Sequence, residues 1–392
     1  MTEVVIVSAA RTPIGKLNGA LAQESAVALG AAAAKAAIAR AGIDPHRIDQ
    51  AVFGNVLQAN SGQNVARQIA LQAGMTTESS AMTVNEVCGS GLKAVRLGQS
   101  AILLGDADVV LVGGTESMSQ TPYYTTKMRA GHALGNVELV DGVMRDGLTD
   151  AFTGLPMGIT AENVADQFNV TREAQDQFAL ASHQKAVAAQ QTGAFVDEIV
   201  PVTVKIKRGA VVVSQDEGPR PDTSLEKLAK LRPAFKQGGT VTAGNASGIN
   251  DGAAALILMR KDLADQEGIP YLATISGYSE GGIDPNFMGY APKRVIEKLL
   301  KRTGSQLDAI DLFEVNEAFA AQSIAVANEL ALNPAKLNVN GGALALGHPL
   351  GASGARVLVT LLYALKNRNQ HSGVAALCVG GGIGVAMQVA RP

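Results

Sequence analysis

Hydrophobic and polar positions along the first 115 residues follow a repeated strand-then-helix order. Short apolar runs rich in valine and isoleucine predict strands at residues 4–7, 51–56, 81–87 and 108–112. Longer stretches with helical periodicity predict helices at residues 24–40, 64–73 and 92–104. Gly42 and Gly74 follow the first two helices, and Gly113 and Gly114 close the last strand. This alternation predicts a layered α/β fold.

The second half of the chain repeats two strings of the first half. Residues 48–55 (IDQAVFGN) match residues 310–317 (IDLFEVNE), and residues 110–114 (VLVGG) match residues 377–381 (LCVGG). The offsets, 262 and 267 residues, nearly agree. Strings this short leave both duplication and chance open. Residues 119–246 break the strand–helix order, and we interpret them as an inserted domain.

Composition and charge exclude several classes of function. The chain has 392 residues, is 47% hydrophobic, and has no apolar stretch of the roughly 18 residues that a membrane span needs. Its 33 basic and 35 acidic residues and 4% aromatic content disfavour a nucleic-acid or anionic-membrane surface. Neither a Walker loop nor a dinucleotide-binding glycine motif follows the first strand. The first residues lack a signal-peptide pattern, so we expect a cytoplasmic protein.

Positive charge is concentrated in residues 205–236, which contain eight basic and four acidic residues. Such a segment attracts phosphate-bearing ligands, for example a nucleotide or coenzyme A. A solvated loop is the alternative interpretation. The basic residues are Lys205, Lys207, Arg208, Arg220, Lys227, Lys230, Arg232 and Lys236.

Two cysteines, Cys88 and Cys378, are far apart in the sequence and form no C-x-x-C pair, so neither a disulfide framework nor a zinc site is expected. Cys88 stands in residues 85–92 (NEVCGSGL), where an apolar run passes through a small-residue turn into a helix. Unpaired N–H groups at a helix start lower a thiol's pKa, which predicts a nucleophile. A buried structural cysteine is the alternative.

Three other positions are candidates for chemistry. His348 lies in residues 340–356 (NGGALALGHPLGASGAR), where glycines and a proline constrain the backbone. A cysteine nucleophile needs a base with a pKa near ~6.5, although a histidine in a turn is often structural. Cys378 ends an apolar strand before three glycines, and Asn316 precedes another helix. The remaining histidines have ordinary polar neighbours: His46, His132, His183 and His371.

Taken together, these strings resemble the thiolase family over essentially the whole chain, and the likeness is closest to its short-chain biosynthetic members. Residues 10–15 (ARTPIG) and 241–253 (VTAGNASGINDGA) add to the resemblance. It implies an α/β thiolase fold in which two duplicated βαβαβαββ halves form a five-layer αβαβα core. The implied domains are an N-terminal half (1–118 plus 247–270), an inserted CoA-binding loop domain (119–246) and a C-terminal half (271–392).

The resemblance also implies a reaction and its residues. The reaction is a reversible Claisen condensation of two acetyl-CoA molecules to acetoacetyl-CoA and CoA through an acyl-cysteine. Cys88 is the implied nucleophile, His348 its base and an oxyanion donor, and Cys378 the general acid and base for the second substrate. Asn316 would hold an oxyanion-binding water, and the backbone N–H of Gly380 would face the tetrahedral intermediate.

The substrate contacts implied by the resemblance surround the CoA and acyl groups. The residues are Arg220, Ser247, Met157, Met288, Ala318 and Phe319. Pro156 stands where many short-chain relatives have histidine, which puts the acyl preference in doubt, and Lys227 is a candidate phosphate contact. Coenzyme A and acetyl-CoA would be substrates, so no cofactor or metal is expected. The implied working form is a homotetramer, as a dimer of dimers, or a homodimer.

Alternative functions remain open at this point. A degradative 3-ketoacyl-CoA thiolase would use the same chemistry on longer or branched chains. A non-catalytic acyl or lipid carrier with the same fold would lack one of the four reactive side chains, all of which are present. A decarboxylating ketosynthase lacks the second cysteine, so Cys378 argues against it, and a nucleotide-binding regulator lacks its phosphate loop.

Overall fold

The computed structural model describes residues 2–392. Its strands are β1 Val4–Arg11, β2 Gly15–Lys16, β3 Gln50–Gly54, β4 Ser80–Val84, β5 Val109–Ser117, β6 Tyr123–Tyr124, β7 Val140–Asp141, β8 Val202–Ile206, β9 Gly209–Val213, β10 Asn250–Arg260, β11 Ala273–Gly282, β12 Leu312–Val315, β13 Ser372–Val379 and β14 Ile383–Ala390. Its helices are α1 Ala26–Ala41, α2 Val65–Gln72, α3 Ser90–Leu104, α4 Met157–Gln167, α5 Arg172–Gln191, α6 Leu225–Ala229, α7 Lys261–Glu267, α8 Ala291–Thr303, α9 Ala320–Glu329, α10 Ala343–Leu346 and α11 Leu350–Asn367.

The chain contains two structurally related halves, as the repeated strings suggested. The first half runs β1-α1-β3-α2-β4-α3-β5-β10 with sheet order β4-β3-β5-β10-β1. The second runs β11-α8-β12-α9-α11-β13-β14 with sheet order β12-β13-β14-β11. In both, the strands that carry the repeated strings pair in parallel, β3 with β5 and β12 with β13. The chance interpretation of those strings was therefore wrong.

The second half has only a single bridge, between Phe313 and Leu337, where the first half has strand β4. Asn338 explains the difference, because its backbone is left-handed with φ of 44°. Its side chain then accepts from the N–H of Val315 and donates to the carbonyl of Val315, at 2.8 and 2.9 Å. The hydrogen bonds of the Asn338 side chain thus stand where a strand equivalent to β4 would form backbone hydrogen bonds with β12.

The two halves stack as five layers around two central helices. Helices α3 and α11 lie between the sheets, and α11 packs on β5 and β10 on one side and on β12 and β13 on the other. Residues 350–365 of α11 are all buried, which fits their sequence of small and apolar residues with few charges. Helices α1 and α2 cover the first sheet, while α8 and α9 cover the second. The fold expected from the resemblance is confirmed.

The sequence pattern predicted that Gly113 and Gly114 end strand β5, and this prediction was wrong. The strand continues to Ser117, because β10 pairs with it along its whole length. A Cβ on Gly114 would lie 2.1 Å from the carbonyl oxygen of Gly351, at the start of α11. The glycine therefore allows the central helix to approach the strand, which the linear pattern cannot distinguish from a turn signal.

The inserted residues leave the first half after β5 and rejoin it at β10. Helices α4 and α5 pack against α9, and α5 also contacts α10. Two short hairpins, β6–β7 and β8–β9, extend from this region. Within the described part of the chain, no helix is both long and apolar enough to span a membrane.

Candidate active site

Cys88 lies in a tight turn immediately before α3. The preceding Val87 has a left-handed backbone with φ of 46°, which is strained for a β-branched residue. The hydroxyl of Ser90 donates to the carbonyl of Val87 at 2.6 Å and accepts from the N–H of Glu86 at 2.8 Å, which fixes the turn. A Cβ on Gly89 would lie 2.9 Å from Val379, so only glycine allows the turn to pack on β13.

The resting state of the Cys88 thiol differs from the sequence prediction. Burial raises the pKa of Cys88 to about 11, and the N–H groups of Gly380 and of Cys88 itself lower it only in part. The prediction of a lowered pKa was therefore wrong for the free protein, because desolvation at this site outweighs the helix-end effect. The N–H of Gly380 reaches the sulfur of Cys88; its implied contact with the tetrahedral oxyanion stays a prediction.

Cys378 lies close enough to Cys88 for the two thiols to interact electrostatically, although 289 intervening residues separate them in the sequence. It is 1% exposed at the end of β13. Burial raises its pKa, and the neighbouring charge of Cys88 raises it further. Both cysteines are free thiols. The fold therefore places two buried, protonated thiols near each other.

His348 is held rigidly between a glycine and a proline. Gly347 has φ of 112°, and a Cβ there would lie 2.5 Å from the side chain of Asn250. Asn250 Oδ1 accepts the N–H of His348 at 2.9 Å. Burial, with a smaller contribution from the positive charge of Arg356, lowers the pKa of His348 to about 3. The imidazole is therefore neutral in the resting site.

The hydrogen bonds of the ring indicate which nitrogen carries the proton. Ser353 Oγ lies 2.5 Å from His348 Nδ1 and 2.9 Å from the carbonyl of Pro349. Since the hydroxyl donates to that carbonyl, it accepts from Nδ1–H. The amide nitrogen of Asn316 lies 3.4 Å from Nε2. The geometry thus assigns the proton to Nδ1 and leaves a lone pair on Nε2, as a base requires.

Asn316 follows β12 and is fully buried. Its backbone N–H donates to Ala376 on the neighbouring strand at 2.9 Å. Its side-chain Oδ1 has no hydrogen-bond partner among the residues of the structure. A buried amide oxygen without a protein partner suits a polar ligand group, because leaving it unpaired costs about 1–3 kcal/mol.

Neither thiol is ionised by the resting site alone. The Cys88 thiol holds its proton far more tightly than the imidazole of His348 would. If His348 is the base, as the resemblance implies, transfer of that proton must accompany formation of a bond at sulfur. The arrangement suits attack on an electrophilic carbonyl in a water-poor site.

An apolar cluster surrounds Cys378. Its members are Met157, Met288, Ala318, Cys378 and Phe319. The structure therefore brings together four of the predicted substrate contacts. Phe235, which we did not predict, packs edge-to-face on Phe319 with ring centroids 6.3 Å apart.

A cleft leads from the surface at Arg220 and Lys227 towards the backbone that holds His348. This cavity of about 220 Å³ has Arg220 and Lys227 at its outer part and Asn250 and Gly347, next to His348, at its inner part. Ser247 lies between two residues that line the cavity, and its N–H donates to the carbonyl of Ala318 at 3.0 Å. Of the predicted CoA contacts, Arg220 and Lys227 therefore line this cavity and Ser247 lies next to its lining.

Most of the basic residues in segment 205–236 lie away from the cleft. Lys205, Lys207 and Arg208 belong to the β8–β9 hairpin, away from the cavity lining. Lys230 and Lys236 form exposed ion pairs with carboxylates. For these residues the solvated-loop interpretation was correct.

Sequence analysis missed Glu116, whose carboxylate bonds to residues of both halves. Its carboxylate accepts four N–H bonds of 2.7 to 3.1 Å, from the side chain of Asn55 and the backbones of Val56, Leu57 and Gly351. Burial raises its pKa to about 7, and the backbone donors lower it. No local signal identifies this residue, because Gly351 reaches it only through the crossing of α11. Ser353 and Asn250 were in the quoted strings without a role.

Comparisons with known proteins agree with the geometry. The thiolase N-terminal domain model matches residues 4–262, and the thiolase C-terminal domain model matches residues 269–391. Acetyl-CoA acetyltransferase of Escherichia coli is 53% identical over 392 residues, which is 100% of both chains. The Bacillus anthracis acetyl-CoA acetyltransferase structure has 45% identity and a TM-score of 0.98, with 100% of this chain and 99% of that one covered.

Human mitochondrial 3-ketoacyl-CoA thiolase is similar at 44% identity and a TM-score of 0.97, again with 100% of this chain and 99% of the other covered. The three relatives match over both halves and the insertion, and the two family models together span residues 4–391 except for 263–268. On this evidence the chain belongs to the thiolase family.

Proposed function

We propose that this protein is an acetyl-CoA C-acetyltransferase that condenses two acetyl-CoA molecules reversibly to acetoacetyl-CoA and CoA. The observation that carries the proposal is the placement of Cys88 and Cys378 near enough for the charge of one to raise the pKa of the other, with the N–H of Gly380 on the first sulfur. Two thiols suit a reaction in which one holds an acyl group and the other moves a proton. The names of the Escherichia coli and Bacillus anthracis relatives support the choice of acetyl-CoA.

In the first half-reaction, Cys88 sulfur attacks the thioester carbonyl of acetyl-CoA while its proton passes to Nε2 of His348. The N–H groups of Cys88 and Gly380 stabilise the tetrahedral oxyanion; loss of one such donor typically lowers kcat by about 10²–10³. The carbon–sulfur bond to CoA then breaks. CoA departs as the thiolate, without needing a proton donor, and then takes up the proton of Cys378, which leaves acetyl-Cys88, a Cys378 thiolate and a protonated His348.

In the second half-reaction, the Cys378 thiolate removes a proton from the methyl group of a second acetyl-CoA. The enolate oxygen accepts from the protonated Nε2 of His348 and from a water on Asn316. The carbanion attacks acetyl-Cys88, and acetoacetyl-CoA is released as Cys88 recovers its proton from His348. Protons and charges balance, and every step is reversible.

We place the acyl group in the cluster of Met157, Met288, Ala318 and Phe319, and the CoA chain along Ser247 towards Arg220. Phe235 and Phe319 close this cluster with rigid rings, which favours a short acyl group. The similarity to human 3-ketoacyl-CoA thiolase favours a second candidate, a degradative enzyme for longer chains. Many short-chain relatives have a polar histidine where this chain has Pro156, next to Met157. Because that polar side chain is missing here, the degradative enzyme stays open as a candidate.

The deciding experiment is CoA-dependent cleavage of 3-ketoacyl-CoA substrates of increasing length, with Cys88→Ala as the blank. Rates confined to acetoacetyl-CoA support the acetyltransferase. Comparable or faster cleavage of long chains supports the degradative enzyme, and no cleavage of any substrate supports a carrier.

We also propose a cytoplasmic location and a homotetramer or homodimer, with no cofactor beyond the CoA substrates. Two free buried thiols suit a reducing compartment. Strand β4 ends the sheet of the first half, so one of its sides has no partner strand in the chain, as a dimer contact would need. Light scattering after size-exclusion chromatography distinguishes the two oligomers from a monomer.

A further inference from the structure

Residues 216–220, here called the anchor segment, lead into the outer part of the cleft and are held on one side by the first half. The carboxylate of Asp216 accepts two bonds from Arg11, at 2.7 and 2.9 Å. Glu217 accepts from the backbone of residues 16 and 20 at 2.9 and 3.0 Å. A Cβ on Gly218 would lie 2.1 Å from the carbonyl oxygen of Ala345. The start of the anchor segment therefore has almost no freedom to move.

Helix α5 holds the same segment from the other side through two residues seven positions apart, on one helix face. Gln190 Nε2 donates to the carbonyl of Asp216 at 2.9 Å. At the other end, Nδ1 of His183 accepts the backbone N–H of Arg220 at 3.2 Å. His183 is 7% exposed and also lines the cavity. The hydrogen bond from Arg220 to the imidazole of His183 is therefore the last contact that holds the backbone of the anchor segment.

The imidazole is suited to this bond because it stays neutral. Burial lowers the pKa of His183 to about 4, with contributions from the positive charges of Arg220 and Lys16 that exceed the opposing effect of Asp222. A neutral ring that accepts at Nδ1 carries its proton on Nε2. The hydrogen bond to Arg220 is thus intact at neutral pH.

Arg220 is one of two cations, with Lys16, that line the cleft without an ion pair in the described part of the chain. Its side chain is exposed and has no ion pair or hydrogen bond among residues 2–392. Lys227, by contrast, is paired with Asp222 at 2.6 Å. A guanidinium on a fixed backbone, at the outer end of the cleft, is placed to meet a phosphate-bearing ligand.

We propose that His183 is a positioning residue that holds Arg220 so that its guanidinium meets the phosphate-bearing nucleotide end of acyl-CoA. This inference rests on the proposed function and adds a determinant for the nucleotide part of the substrate. It predicts that His183 affects substrates with a nucleotide and is irrelevant for thioesters that lack one.

The test compares His183→Leu, which removes the acceptor, with His183→Asn, which restores an acceptor near the position of Nδ1. Loss of a hydrogen bond of about 0.5–1.5 kcal/mol corresponds to a KM for acetoacetyl-CoA raised about 2- to 10-fold in the leucine variant. We expect kcat to be unchanged and the asparagine variant to be close to wild type. The acetoacetyl thioester of N-acetylcysteamine, which lacks the nucleotide, should give the same kinetic constants with all three proteins.

A double-mutant cycle with Arg220→Ala separates positioning from general destabilisation. If His183 acts through Arg220, the leucine substitution has no further effect on KM in the Arg220→Ala background. Equal changes with both thioesters, an unchanged KM for acetoacetyl-CoA, or additive effects in the cycle would each overturn the inference. A wild-type protein that cleaves neither thioester would instead overturn the proposed function.

Discussion

Replacement of Ser353 by alanine removes the hydroxyl that orients the proposed base. The hydroxyl lies 2.5 Å from His348 Nδ1 and donates to the carbonyl of Pro349 at 2.9 Å. Without it, the buried Nδ1–H loses its partner, or the proton moves to Nε2 and occupies the lone pair that should accept the Cys88 proton. Either outcome weakens the base without touching the nucleophile.

The magnitude follows from the burial of the ring. Leaving a buried donor unpaired costs about 1–3 kcal/mol. Because each 1.36 kcal/mol corresponds to tenfold in rate, we expect the acylation rate to fall by about 5- to 150-fold. The change should appear in kcat, since Ser353 does not line the CoA cleft.

The assay is the pre-steady-state release of CoA when enzyme and acetyl-CoA are mixed, because it reports acylation of Cys88 alone. Ser323→Ala is the matched control: Ser323 is also buried, and its hydroxyl donates to the carbonyl four residues earlier, that of Phe319, at 3.1 Å. Both variants should lose similar stability, and only Ser353→Ala should acylate slowly. Acylation within twofold of wild type, or an equal loss in the control, would refute this role of the hydroxyl.

Four further predictions concern other parts of the site and fold. Cys88→Ser should abolish acetyl transfer from labelled acetyl-CoA but retain CoA binding, while Cys378→Ala should retain transfer and lose condensation; equal loss of both steps in the second variant would contradict the two roles. Since burial raises the pKa of Cys88 to about 11, its alkylation by iodoacetamide in the Cys378→Ala background should become about tenfold faster per pH unit between about pH 6 and 9, whereas a plateau below pH 8 would contradict it. Gly347→Ala, at φ of 112° and with its Cβ 2.5 Å from Asn250, should displace the base and lower kcat at least about tenfold in a folded protein; unchanged kcat would show that the turn adapts. Arg11→Met leaves two buried carboxylates unpaired and should lower the free energy of unfolding in urea by about 3–5 kcal/mol, so a loss below about 1 kcal/mol would disprove the importance of the pair.

The local elements could be predicted from the sequence because each has a periodic apolar pattern and a recognisable end. The helix predicted at residues 92–104 is Ser90–Leu104 in the structure, and that predicted at 64–73 is Val65–Gln72. The strand predicted at 81–87 ends at Val84, because residues 85–87 form the turn before Cys88. Apolar runs continue into buried turns, so periodicity alone sets such boundaries poorly.

The reactive side chains could be identified from their strings, but their neighbours could not. Cys88, His348 and Cys378 each stand among glycines, which is a local signal of close backbone approach. Ser353 shares the glycine-rich string of His348, and Glu116 follows two glycines, but their importance depends on which groups the fold brings to them. His183 had an ordinary polar context and was set aside, although it contacts the backbone of Arg220.

The sequence by itself determined the order of strands and helices, the duplication that the repeated strings suggested, and the candidates for the nucleophile, the base and the second thiol. These properties depend on residue types and on neighbours a few positions away. Only the tertiary structure decided that the two thiols lie near each other and that burial keeps them protonated and the imidazole of His348 neutral. It also decided that only a few of the many basic residues face the cleft. Desolvation and long-range contacts depend on which surfaces the folded chain brings together, and a linear pattern does not contain that information.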